Sequence, residues 1–396
     1  MAVGSETHRA SGKRALLSDE RVRGVILQVL VAAAVLAFAA FVIHNTVVNL
    51  QRLGISTGFR FWNQTAGFDI AQTLIPYEMT STYGRAFWVG LVNTLVVSAV
   101  GIVLATLIGF IVGIARLSRN WLIAKLAAAY VDLLRNIPLL LQILFWYFGV
   151  LATLPGVRQS LSFGEAVFLS NRGLYAPALV AEPGFGWVVA AFVLGLAGAV
   201  SIARWAKRRQ DRTGEQFPIF RVAVALLLGP PLLVALVTGL PWSWEYPELR
   251  GFNFSGGIRM LPEFVALLLA LTLYTAAFIA EIVRAGIQSV SRGQTEAAYA
   301  LGLRPRQTTR LIIIPQALRV IVPPLTSQYL NLTKNSSLAV AIGYPDLVSV
   351  FTGTVLNQTG QAVEVIAITM LVYLTISLLI SMFMNWYNRR IALVER

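Results

Sequence analysis

An all-α integral membrane protein of about eight transmembrane helices is the architecture this sequence predicts, on three observations. Of 396 residues, 57% are apolar and only 13% charged, with mean hydropathy +0.69, whereas a water-soluble domain carries about 25% charged residues. Apolar windows of about 20 residues, the length a helix needs to cross a bilayer, recur along the whole chain. The basic residues are also unevenly placed. With the N-terminus inside, 23 of the 32 Lys and Arg fall in cytoplasmic tails and loops and seven outside, while Arg135 and Lys334 lie within apolar stretches. Retention of basic residues on the cytoplasmic side favours N-in, C-in. The net charge of +14 is then a consequence of topology. With no aromatic reading surface among the basic residues, the expected surrounding is membrane lipid and no nucleic acid.

In chain order, residues 1–23 form a polar cytoplasmic tail. The first span, near 24–44, is too long for a removed signal peptide and lacks a small-residue cleavage site, so it is expected to remain as an anchor. An external loop (45–85) leads to a span near 88–115, where Gly109-x-x-x-Gly113 allows close approach of another helix. The third span, near 122–150, contains Pro138, which predicts a kink. Residues 151–261 read as an external loop (151–186), two spans (187–203 and 220–240) joined by the basic loop 204–216, and an external Trp-, Pro- and Gly-rich segment (241–257). Spans near 262–283, 321–343 and 364–385 and a short tail from 387 complete the chain. Pro323, Pro324, Asn331, Lys334 and Asn335 interrupt the seventh of these spans.

The cytoplasmic stretch Glu296–Pro315, EAAYALGLRPRQTTRLIIIP, is soluble in character within an otherwise apolar chain. Glu296 to Leu301 are good helix formers, Gly302 suits the left-handed residue that ends a helix, and Pro305 suits the first turn of the next. Arg306 and Arg310 follow, and Pro315, lacking an amide, predicts a bend or break. The spacing of Glu296-Ala297-Ala298, Gly302, Ile312, Ile314 and Pro315 resembles the cytoplasmic loop of the membrane subunits of binding-protein-dependent ABC importers. In that family the loop is the coupling helix that sits in a cleft of the ATPase. The run GFRFWNQTAGFDI (58–70), NTL (93–95) and the stretch 316–347 resemble the permeases for polar amino acids: glutamate, glutamine, aspartate and asparagine, or L-amino acids generally.

The resemblance implies a multi-pass permease subunit of the bacterial inner membrane that moves polar L-amino acids by alternating access. It implies partners too: a cytoplasmic ATPase dimer, a second permease subunit or another copy of this chain, and a periplasmic substrate-binding protein. ATP and Mg would belong to the ATPase, and this chain would hold no cofactor. The permease core would be 86–150 plus 262–386, with the coupling loop at 285–320. Residues 24–85 would precede it, and 151–261 would be an insert of unassigned role.

Several polar residues stand in apolar surroundings. Asp132 and Arg135 lie three apart on the third span, and Glu281 and Arg284 repeat the arrangement on the sixth, so each pair can lessen the cost of buried charge. They read equally as a gate or as structural ion pairs. Asn93, Lys334 and Asn335 are further candidates for the substrate pathway, since a zwitterion needs donors and acceptors along its route; the alternative for Lys334 is a pair with Glu281. A secondary transporter coupled to Na⁺ or H⁺, with Asp132, Glu281 and Lys334 as coupling charges, is the rival reading, but it leaves the spacing of Glu296–Pro315 without a reason. An enzyme is not expected. There is no cysteine, the two histidines (His8 and His44) lack ligand neighbours, and no P-loop occurs.

Overall fold

A computed structural model describes residues 20–52 and 57–391; the N-terminal tail up to residue 19 and the C-terminal tail from residue 392 lie outside the described residues. Seven helices among them are long and apolar enough to cross a membrane, and a bent pair makes an eighth span. Helix α1 (Glu20–Arg52) stands apart from the rest, its side chains from Val25 to Val47 all exposed. Helix α2 (Tyr83–Ala115) starts at Thr82, whose hydroxyl accepts the Arg85 amide, an N-cap that satisfies one of the free donors of the first turn.

The third span is two helices, α3 (Trp121–Asn136) and α4 (Leu139–Leu144, widened over Phe145–Leu151), meeting at 106°. Pro138 has no amide to offer the Leu134 carbonyl, so the helix breaks there. The buried side chain of Gln142 replaces the missing donor, giving hydrogen bonds to the carbonyls of Leu134 and Ile137 at 2.9 Å.

Helices α5 (Phe185–Thr213) and α6 (Ile219–Val237) form a hairpin. They pack on each other through Gly195, whose Cα lies too close to the Leu226 carbonyl for any side chain. α5 runs ten residues beyond its apolar stretch 187–203. The external segments on either side, expected as loops, instead pair with one another. Strands β1 (Leu161–Phe163), β2 (Val167–Ser170), β3 (Gly173–Ala176) and β8 (Ile258–Met260) form an antiparallel sheet, β4 (Ala178–Ala181) pairs with β5 (Trp242–Glu245), and β6 (Glu248–Arg250) with β7 (Asn253–Ser255). Tyr175 is buried at its centre, packed on Phe254 and donating to the Asn253 side chain at 2.9 Å. The all-α reading thus holds for the spans, with a small external β module added.

Helix α7 (Pro262–Gln288) is the centre of the molecule. Leu267, Leu271, Ala276, Ile279 and Ala280 are fully buried, with α2, α3, α4 and α10 around them. Gly109 and Gly113 of α2 meet Ile279, the Ala276 and Ala280 carbonyls and Val283, so this small-residue pair serves packing within the chain. After α7 come α8 (Arg292–Ala300) and α9 (Pro305–Thr308), then a wide turn (Thr309–Ile313) and α10 (Ile314–Asn335).

Two expectations are corrected here. α10 passes through Pro323 and Pro324 without interruption, as membrane helices can where neighbours and local adjustment satisfy the freed carbonyls. Nor does the chain break at Pro315: the π-helical turn just before it absorbs the missing amide and the clash with the preceding turn. A 3₁₀ turn (Ser336–Ile342), a π-helical segment (Val348–Val355), the short α11 (Leu356–Thr359) and α12 (Ala362–Ile391) end the described chain.

Candidate functional site

The helix-turn-helix formed by α8 and α9 joins the C-terminal end of α7 to the N-terminal end of α10. Gly302 has φ +76. The amide of Leu303 donates to the Ala298 carbonyl at 3.1 Å and that of Gly302 to Tyr299 at 2.9 Å, the two bonds of a Schellman turn. Across the turn, the Gln307 side chain accepts the Arg304 amide at 3.0 Å, and Pro305 opens α9. Ala298 and Thr308 are the buried contacts that seat the element on the protein. Glu296, Ala297 and Arg306 are exposed.

The turn also presents Tyr299, 50% exposed, and Leu301, 81% exposed. Neither stands out in the sequence, where an alternating Ala, Tyr and Leu run reads as ordinary helix. Two apolar side chains thus stand exposed at the tip of the turn, beside an acid and an arginine. No added atom at Gly302 would meet anything of this chain within 4 Å. Its constraint here is conformational, with no internal contact at that position.

The paired charges sort differently from their spacing. Glu281 does hold Arg284, and it also holds Arg116, which caps α2. Asp132 and Arg135 do not pair: Asp132 is exposed, and the Arg135 guanidinium lies over the Phe278 ring at 5.0 Å. Helical twist allows an i,i+3 pair, but the face of α7 beside α3 offers a ring to the arginine.

Asn93 is fully buried, and its amide donates to the carbonyls of Gln72 and Pro345, both at 2.9 Å. The neighbouring Thr94 hydroxyl accepts the Leu347 amide at 2.9 Å, while Gly90 faces the Leu347 backbone. NTL at 93–95 therefore clamps the turn Gly343-Tyr344-Pro345-Asp346-Leu347. Sequence reasoning passed over the buried Asp346, although Asp ahead of an apolar run is an N-cap signal: its carboxylate takes the Ser349 amide at 2.8 Å, with the Tyr373 hydroxyl at 3.4 Å. The aromatic run 58–70 packs on the same end, with Phe61 and Trp62 against Phe87 and Phe351. In this external loop Tyr77 donates to the Phe68 carbonyl at 2.9 Å; burial, then the charge of Asp69, pushes its phenol up to about 12.

Lys334 does not reach Glu281. It lines a groove of about 420 Å³ with Ser337, Val348, Met370, Tyr373, Leu374 and Ser377, and Asn335 beside it is half-buried. The structure brings Lys334 together with the hydroxyls of Ser337, Tyr373 and Ser377, and none of Asn93, Asp132 and Arg135 lines that groove. Among the described residues no group of three or more His, Cys, Asp or Glu is placed to hold a metal ion.

A family model described as "Binding-protein-dependent transport system inner membrane component" matches residues 217–393. The general L-amino acid transport system permease protein AapQ of Rhizobium johnstonii is 52% identical over 97% of this chain and 96% of its own length. The chain belongs to the amino-acid permeases of binding-protein-dependent ABC transporters. The glutamate/glutamine/aspartate/asparagine transport system permease protein BztB of Rhodobacter capsulatus is 45% identical over the full length of both chains. YhdX of Escherichia coli, a provisionally named amino-acid ABC transporter permease protein, is 55% identical over 98% of this chain and 100% of its own. A permease of this family is an inner-membrane component, and ATP hydrolysis is the work of a separate subunit. Nothing in these relatives favours ion-coupled secondary transport.

Proposed function

We propose that this permease carries polar L-amino acids inward by alternating access, coupled to a cytoplasmic ATPase dimer through α8 and α9. The observation that carries the proposal is the exposed, rigidly turned tip: Leu301 and Tyr299 project outward beside Glu296 and Arg306, on a Schellman turn that only a left-handed residue at 302 permits. Ala297, Ala298 and Pro315 complete the coupling element. Alanines keep the helix slim enough for a cleft, and Pro315 joins the element to α10.

The permease works as a pair, with a second permease subunit or another copy of itself, and receives substrate from a periplasmic binding protein. Its core is 86–150 plus 262–386. Lys334, with Ser337 and Tyr373, lies along the substrate route, where a cation and hydroxyls suit a substrate carboxylate. Asn335, Asp132, Arg135, Glu281 and Arg284 remain candidates for the route or its gate. Asn93, occupied by two carbonyls, acts on the route through the turn it holds.

The test is uptake of radiolabelled glutamate, glutamine and a cationic amino acid into proteoliposomes containing the complete transporter. ATP-dependent, binding-protein-dependent uptake of the polar amino acids supports the reading. Uptake driven by a Na⁺ or H⁺ gradient without ATP rejects it.

A further inference from the structure

We propose that the cytoplasmic end of the α5–α6 hairpin is a binding site for the phosphate headgroup of an anionic phospholipid. A hollow of about 400 Å³ opens there, lined by Trp205, Arg208, Arg209, Arg212 and Thr213. Arg209 is already satisfied: it pairs with Glu215 and lies 5.6 Å from the Trp205 ring, which meets Phe217 edge-on at 5.3 Å. This arrangement makes a fixed aromatic floor. Arg208 and Arg212 stand one turn apart over that floor. Both are exposed, and neither has an acidic partner among the described residues. Two free guanidinium forks at that spacing suit the oxygens of one phosphate group.

The location selects the source of the phosphate. The hairpin packs on itself and presents Leu194, Phe220 and Val237 outward, so lipid surrounds it. α5 carries its basic turns beyond the apolar stretch, to the depth of the headgroups. Trp205, 51% exposed, suits that interface with its apolar ring and its indole N–H. Orientation by positive charge alone would be served by basic residues anywhere in the loop; it gives no reason for two unpaired arginines on one helix face above a tryptophan. Clusters of this kind attract anionic lipid over zwitterionic lipid.

The experiment is native mass spectrometry of the full chain, delipidated in neutral detergent, after addition of phosphatidylglycerol or phosphatidylcholine of the same acyl composition. The wild type should retain phosphatidylglycerol about thirtyfold better, the preference two favourably placed arginines would confer. R208Q/R212Q should bring the ratio close to one, with the thermal midpoint unchanged because both side chains are exposed, and R208K/R212K should fall between. Equal retention of both lipids by the wild type overturns the proposal, as does full preference in R208Q/R212Q. Displacement of phosphatidylglycerol by inorganic phosphate would mark a small-anion site instead. None of these readouts depends on which amino acid is carried.

Discussion

Glu281 on α7 holds Arg116, the residue that closes α2, across 165 positions of sequence. Its carboxylate also takes Arg284 one turn further along its own helix. Three residues before Arg116, Gly113 lies against the Ala280 carbonyl and Val283. The two central helices are thus joined by close backbone packing and tied at their cytoplasmic ends by a charge cluster.

Glu281→Gln should therefore destabilise the permease by about 1–2 kcal/mol, since it removes two charge-assisted bonds at a partly exposed site. Arg116→Gln should cost a similar amount, and the double variant less than the two together, by at least about 0.5 kcal/mol. Thermal unfolding in detergent reads all three. Strict additivity would separate the two residues, and a loss of uptake with unchanged stability would favour a gate over a tie.

At the coupling tip, Gly302→Val should insert and fold, because no atom of the chain obstructs the added side chain. A left-handed backbone costs a β-branched residue on the order of 1–2 kcal/mol, enough to turn α9 away from its docked direction. Leu301→Asp should weaken ATPase association through the exposed tip itself. Pull-down of the ATPase, with hydrolysis measured with and without loaded binding protein, distinguishes weakened docking from uncoupling. Normal coupling in both variants would remove this element from the interface.

Asn93→Ala should leave the Gln72 and Pro345 carbonyls without their donor inside the protein, at about 1–3 kcal/mol. Faster proteolysis of the external loop 57–82 and a lower thermal midpoint are the expected readouts. A raised KM for uptake with full stability would instead put Asn93 on the route itself.

Lys334→Ala should lower uptake far more than ATP hydrolysis or complex assembly, by about tenfold if one charge-assisted contact to substrate is lost. Uptake and hydrolysis are to be measured in the same proteoliposomes. A parallel fall of both with loss of assembled complex would make Lys334 a structural residue.

The sequence by itself determined the spans and the helix-turn-helix within Glu296–Pro315, because each rests on a local rule: apolar length against bilayer thickness, and the backbone freedom of Gly302 before Pro305. The kink at Pro138 was legible for the same reason. Only the tertiary structure decided who partners whom. An i,i+3 spacing permits Asp132 and Arg135 to pair, yet Phe278 of another helix takes the arginine, while Glu281 finds a second partner on α2. Likewise Asn93 and Pro345, or Gly173 and Met260, meet only once helices and external segments are assembled. Such contacts depend on which faces the packing of α7 turns toward its neighbours. That orientation is set by small residues such as Gly109 and Gly113 meeting the Ala276 and Ala280 carbonyls of a helix 167 positions away, a relationship that no window of local sequence contains.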